Sequence, residues 1–230
     1  MSIARKLMGI TKGAAVDPVT LDSTTSDNLT SGTFPFNYAN SYPAGTFIVV
    51  AVTARETGTL AGTWNSVVDD EGNTFNLVVQ GTQSNDLTFS AIWSCSLSNP
   101  VTAATAITAT TSTTLTASGR HAAIFVLGTT PSTTNVVNSP QTGAPVVATS
   151  TTTSGSGIAF HVVSTGAGQG GPSVVSVSSG FTLQVESRNS GCSQYIATSV
   201  LDQAPSSSVS NSLELSVTSG RYANMMAVAE

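Results

Sequence analysis

The sequence predicts an all-β fold, a jelly-roll-like β-sandwich that follows a short N-terminal segment. Apolar and polar residues alternate along 87–97, which is the pattern of a strand with one buried face. About eleven short apolar segments are separated by turn signals, and no helical period interrupts them. With 230 residues the chain is long enough to bury a core without disulfide bonds. These three observations favour a sandwich over a helical or mixed fold.

The strand predicted at 87–97 has the most regular pattern in the chain. One face carries six apolar residues: Leu87, Phe89, Ala91, Trp93, Cys95 and Leu97. We expect the other face to be hydrated, because it carries Thr88, Ser90, Ser94 and Ser96, with Ile92 as its one apolar member. The preceding segment, 67–79, predicts two strands around the acidic turn 69–73, since Gly72 and Asn73 favour tight turns.

Residues 1–13 contain the one predicted helix, which we expect to be an anchor peptide for a partner. Its apolar residues recur at helical spacing, and three of the seven Lys and Arg residues of the chain lie beside them. A helix this short is marginal alone, so docking in a groove would stabilise it. The alternative is a tail without a role. The candidate partner-binding residues are Ile3, Arg5, Lys6, Leu7, Ile10 and Lys12.

Residues 14–44 are polar and proline-punctuated, which predicts an extended lead-in. An aromatic cluster in this segment would cover a sheet edge. The alternative is a carbohydrate-binding surface, in which exposed rings stack on sugars. Its candidate stacking residues are Phe34, Tyr38, Tyr42 and Trp64.

From residue 45 onward the chain predicts strand after strand. Residues 47–53 and 122–127 are continuous apolar runs, as expected of central strands, and the segments between them are rich in Ser and Thr. Because no change of composition divides 45–230, we expect one sandwich domain there.

Charge excludes several classes of partner. Only 8% of the residues are charged, against about 25% in typical proteins. The net charge is −5, and no lysine follows Lys12, so the body lacks the basic patch that nucleic acid or anionic lipid needs. No apolar run has the length of a membrane helix. The apolar stretch at 7–10 is also too short for a secretion signal.

Motifs that carry chemistry are weak, and we expect no enzyme, metal or cofactor. Residues 166–171 fit GxGxxG, but a strand-like segment follows instead of a helix. The turn at 69–73 lacks the ligand spacing of an EF-hand. His121 and His161 have no metal-ligand motif beside them, and Cys95 and Cys192 predict free thiols. Glu186 and Glu214 lie on separate predicted strands, which leaves a glycosidase pair open.

The stretch Val67-Val-Asp69-Asp-Glu-Gly72-Asn73-Thr74-Phe75 resembles the V-x-D-x-x-G-N-T-[FY] hairpin of jelly-roll-like β-sandwich modules in phage virion and bacterial surface proteins. Weaker similarities to the same modules follow in the expected order at 91–93, 122–127, 179–187 and 222–229. The opening residues 1–9 separately look like the N-terminal peptide of tailed-phage tail and fibre proteins. The Gly/Ala run expected after that peptide is reduced here to Gly13-Ala-Ala15.

This resemblance implies a structural virion protein of a tailed bacteriophage, tail- or fibre-associated, that docks on other virion proteins through residues 1–13. The alternatives are a capsid decoration protein and a carbohydrate-binding adhesin module for a host surface glycan. The resemblance also implies a homo-oligomer, for which we expect a trimer. Its location would be the virion, assembled in the host cytoplasm.

Overall fold

Every regular element of the computed structural model is a β-strand, within the part of the chain that it describes. The described residues are 19–28, 31–56, 62–83, 87–112, 119–128, 131, 134–138, 141–142, 146–152, 156–166, 172–189, 191–201, 207–216 and 221–230. The predicted helix and its six partner-binding residues lie outside these ranges, so the anchor remains a prediction.

The first eight strands form a sandwich of two antiparallel sheets. Its larger sheet contains β1 (Val19–Asp27), β3 (Phe47–Arg55), β5 (Asn76–Gln83), β6 (Thr88–Ser96) and β8 (Arg120–Leu127). Its smaller sheet contains β2 (Thr33–Asn37), β4 (Trp64–Asp69) and β7 (Ala106–Thr111). The strand orders are β1-β8-β3-β6-β5 and β2-β7-β4. A core of buried side chains fills the space between them, including Phe34, Trp64, Phe89, Trp93 and Ile107.

The remaining nine strands form a second sandwich. Its larger sheet contains β9 (Thr134–Asn138), β10 (Gln141–Thr142), β12 (Gly157–Thr165), β14 (Thr182–Arg188), β15 (Ser193–Leu201) and β17 (Arg221–Ala229). Its smaller sheet contains β11 (Val146–Thr152), β13 (Val174–Val177) and β16 (Ser208–Leu215). The strand orders are β10-β17-β12-β15-β14, with β9 also paired to β17, and β11-β16-β13.

The two sandwiches, which we call the first and second halves, repeat one topology. Adding nine to each strand label of the first half reproduces both strand orders of the second half. The turn between β4 and β5 contains Gly72 at φ +83°, and the matching turn between β13 and β14 contains Gly180 at φ +88°. Both positions need a left-handed backbone conformation that glycine adopts without strain. The predicted all-β sandwich is therefore confirmed, and the chain contains two of them. The finer jelly-roll description stays a prediction.

The segment expected to be an extended lead-in contributes two strands to the first sandwich. Strands β1 and β2 lie in 14–44, and the range 45–230 contains the other six strands of the first sandwich and the whole of the second. Pro35 lies in β2 at the edge of its sheet, where a missing N–H is tolerated.

The larger sheets of the two halves pack face to face, which gives four layers in all. Val49, Phe125, Phe160, Ile196 and Met225 belong to one buried cluster that both sheets share. The rings of Phe125 and Phe160 meet edge to face, with centroids 5.4 Å apart. The central strands are therefore buried on both faces, which explains their continuous apolar runs.

This packing corrects the expectation for the 87–97 strand. The apolar face lies in the first core as predicted, but the second half covers the start of the polar face, so Thr88 and Ser90 are fully buried, whereas Ser94 is partly buried and Ser96 is exposed. Ile92, the apolar exception, packs in the cluster between the halves. Phe89, Trp93, Phe125 and Phe160 are buried, whereas Phe181 is only partly buried.

Candidate functional site

The turn at 69–73 is built around the carboxylate of Asp69. Its Oδ1 accepts hydrogen bonds from the backbone N–H groups of Glu71 (3.1 Å) and Asn73 (2.8 Å). Its Oδ2 accepts from the side-chain amide of Asn73 (2.8 Å) and from the hydroxyl of Tyr38 (3.2 Å). Burial and the neighbouring Asp69 raise the pKa of Tyr38. All four acceptor positions of the carboxylate are thus occupied by protein donors.

Asn73 ties this turn to the loop that follows β6. Its Oδ1 accepts from the backbone N–H groups of Ser98 and Asn99, at 2.8 and 2.9 Å. The predicted hairpin is in fact a corner, because β4 and β5 belong to different sheets, and the chain between them returns to β4 through a bridge between Val68 and Thr74. The 67–75 motif therefore has a structural role: it turns the chain from one sheet to the other.

The predicted glycan-stacking rings are mostly inaccessible. Phe34, Tyr38 and Trp64 are at most 2% exposed, because they point into the core of the first half instead of covering its edge. Only Tyr42 keeps exposed surface, and its hydroxyl donates to Oδ1 of Asp22 at 2.5 Å. Burial and this bond raise the pKa of Tyr42 to about 12. These residues do not form a stacking platform.

A chain of buried polar groups joins the two halves. The amide of Gln194 donates to the hydroxyl of Thr53 at 2.9 Å. The Thr53 hydroxyl lies 2.8 Å from the hydroxyl of Ser90. The Ser90 hydroxyl in turn lies 2.5 Å from that of Ser164 in the second half. Arg55 also crosses the boundary and donates to the carbonyl oxygens of Gly166 and Gly191. These bonds satisfy the hydroxyl of Ser90, which lies on the face that the sequence predicted to be hydrated.

His121 lies in the same boundary region and is fully buried. Its Nε2 lies 3.0 Å from the carbonyl oxygen of Cys192, and its Nδ1 lies 2.8 Å from the hydroxyl of Ser187. Burial lowers the pKa of His121, so we assign a neutral ring that donates from Nε2 and accepts from Ser187. A serine beside a neutral imidazole is a general-base arrangement, but here the bonds hold the β14–β15 turn against β8.

His161 connects the core of the second half to its surface. Its Nε2 lies 2.7 Å from Oδ1 of Asn224, and its Nδ1 accepts from the amide of Asn211 at 2.8 Å. Complete burial lowers the pKa of His161 to about 4, so the ring is neutral at physiological pH. Oδ1 of Asn211 accepts a hydrogen bond from the hydroxyl of Ser178 at 2.5 Å. The expected structural role of this histidine is thus accounted for by named partners.

Above Asn211 lies an open groove of about 750 Å³ in the second half. It runs over the pairing of β11 with β16 and is bounded by the turn after β13. Thr149 is 7% exposed, and its hydroxyl has no hydrogen-bond partner. No lining residue carries a charge. The lining residues are Val137, Ala148, Thr149, Ser150, Ser178, Ser179, Ser210, Asn211 and Ser212.

The remaining candidates are dispersed. Glu186 pairs loosely with Arg188 at 3.4 Å in the larger sheet of the second half, whereas Glu214 accepts from Ser176 in the smaller sheet. Cys95 and Cys192 are free, as predicted, and both are buried. Among the described residues, no group of three or more His, Cys, Asp or Glu side chains could hold a metal ion. Within the same ranges, no helix is long and apolar enough to span a membrane.

Comparison with known proteins identifies no relative: no protein-family model matches the chain, and no curated protein matches it. Sequence reasoning also missed the groove, because isolated Ser, Thr and Asn residues carry no motif. One sequence pattern could have indicated that the two halves repeat one topology. Gly119-Arg120-His121-Ala122 begins the last strand of the first half, and Gly220-Arg221-Tyr222-Ala223 is its counterpart in the sequence of the second.

Proposed function

We propose that this protein is a structural virion component of a tailed bacteriophage, associated with the tail or a fibre. It would dock on another virion protein through residues 1–13 and present the two-sandwich body outward. The observation that supports this role is the resemblance of residues 67–75 to the hairpin of virion β-sandwich modules. Asp69, Gly72 and Asn73 are the residues that build the corner, so the similarity falls on positions with a physical purpose.

The boundary between the halves also suits a structural part. A shared apolar cluster and the crossing bonds of Arg55, Ser90 and Gln194 fix one half against the other. Buried polar contacts of this kind specify one relative orientation, since each misplaced group would lose its partner. A body with one fixed shape is what a repeated position in a particle requires.

Mass spectrometry of purified particles from the source culture tests this proposal. We expect the chain in the particle fraction at a level comparable with other structural proteins, and its depletion from the soluble host fraction. Immunogold labelling then separates a tail or fibre from the alternative of a capsid decoration protein. A chain found only in the host fraction would refute all three virion locations.

A further inference from the structure

The polar contacts across the boundary between the halves are reciprocal. Thr53 and Ser90 form a cross-strand pair on β3 and β6, and Ser164 and Gln194 form one on the matching strands β12 and β15. Across the boundary, Ser90 of β6 lies 2.5 Å from Ser164 of β12. In the other direction, Thr53 of β3 accepts from Gln194 of β15 at 2.9 Å. The same two strand positions thus meet twice with their roles exchanged, which is the property of an isologous, two-fold interface.

Strand register gives the same correspondence independently. Phe47 pairs with Leu127, the last residue of β8, and Ile158 pairs with Ala229, the last residue of β17. Counting six residues onward from each (47 to 53 and 158 to 164) reaches the threonine and the serine that the polar contacts match. Two separate observations therefore place the halves about one two-fold axis.

The apolar contacts follow the same axis. By this register Phe125 corresponds to Ala227, and Val49 corresponds to Phe160. The rings of Phe125 and Phe160 meet edge to face. Their counterparts, Ala227 and Val49, line one small cavity between the larger sheets, as the axis requires.

Two-fold symmetry makes two chain connections equal in span. The first half ends at Leu127 and the second begins at Thr134, with the six residues 128–133 between them. Val19, the first residue of β1, pairs with Leu127 as Thr134 pairs with Ala229. Because the axis exchanges these two pairs, the span from the end of β17 back to the start of β1 equals the span that 128–133 bridges.

We infer that the boundary between the halves is a dimer interface enclosed within one chain. Each inner face fits a second sandwich of the same topology, and the halves can follow each other in either order. The shared apolar cluster and the reciprocal contacts hold them together, as they would in an isologous dimer. A short linker raises their effective concentration to about the millimolar range, so at micromolar concentration they pair within one chain. This inference goes beyond the virion role and does not depend on it.

The test exchanges the two halves within the full chain. The exchanged chain runs 1–18, 134–229, 128–133, 19–127 and 230, so it keeps every residue and the natural linker. Further versions carry linkers of two, four and twelve residues in place of the natural six. The natural order with the same set of linkers is the matched control. Thermal melting, followed by tryptophan fluorescence and circular dichroism, compares the two orders.

We expect the exchanged chain with the six-residue linker to fold and to melt close to the natural chain. Shortening the linker should lower the melting temperature at the same length in both orders, because the spans are equal. Phe160→Ala should cause the same fall in both orders, since it removes the same contact with Phe125.

Three results would overturn the inference. An exchanged chain that folds only with the twelve-residue linker would show that the two spans are unequal. An exchanged chain that folds with neither linker would show that the halves are not interchangeable units. An exchanged chain that folds but is not destabilised by Phe160→Ala would show that the halves no longer meet through the same face.

Discussion

Phe160→Ala tests whether the two halves unfold as one unit. The side chain is 2% exposed and lies between the larger sheets, edge to face with Phe125. Truncating a buried phenylalanine leaves a cavity and costs about 3–5 kcal/mol, of which the aromatic pair contributes about 0.5–1.5 kcal/mol. For a chain of this length, that loss corresponds to a fall in melting temperature of about 6–20 °C. Both halves should be affected, since both contribute to the cluster.

The chain provides its own reporters for this experiment. Its two tryptophans, Trp64 and Trp93, lie in the first half, whereas Phe160 lies in the second. Tryptophan fluorescence therefore follows the first half, and far-ultraviolet circular dichroism follows all strands. We expect both signals to shift together by the same amount. Val200→Ala, at a 56% exposed position of the second half, is the control and should change stability by less than about 0.5 kcal/mol. A fluorescence transition unmoved by Phe160→Ala would refute the coupling of the halves.

Four further outcomes follow. Burial lowers the folded-state pKa of His161 from 6.5 to about 4, so the unfolded chain binds the proton more readily than the folded one. The contribution of this group to the free energy of unfolding should therefore be complete above about pH 7 and fall by roughly 3 kcal/mol towards pH 4. Urea unfolding at stepped pH measures this loss, and His161→Gln should reduce it between pH 6.5 and 5. Cys95 and Cys192 are buried, so a thiol reagent should react slowly with the native protein. In urea, which unfolds the protein, it should react faster and with both thiols. Deletion of residues 1–13 should leave the melting temperature nearly unchanged but prevent incorporation into particles; incorporation of the truncated chain would show that the anchor lies elsewhere. Sedimentation should show an oligomer, because the few charges provide little repulsion between copies, and the resemblance implies a trimer; a monomer at micromolar concentration would contradict it.

The sequence predicted the strands better than their arrangement. Alternation along 87–97 and the apolar runs at 47–53 and 122–127 identified β6, β3 and β8, because periodicity reports burial directly. It could not report what covers each face. Ser90 looks hydrated in the sequence, yet its hydroxyl is satisfied by Thr53 and Ser164, which are distant along the chain. Burial that rests on long-range hydrogen bonds leaves no local signal.

The candidate sites show the same limit. Phe34 and Trp64 are aromatic residues in polar surroundings, which resembles a binding surface until their inward direction is known.

The four-layer arrangement restricts where any partner can bind. The central strands of the larger sheets are buried on both faces, so the outward faces of the smaller sheets, the edges and the turns remain accessible. In the first half the corner beside the smaller sheet is closed by Tyr38, Asp69 and Asn73. In the second half an open groove lined by hydroxyl groups lies beside the smaller sheet. Two copies of one topology have thus kept the same framework, and they differ in the surface beside the smaller sheet.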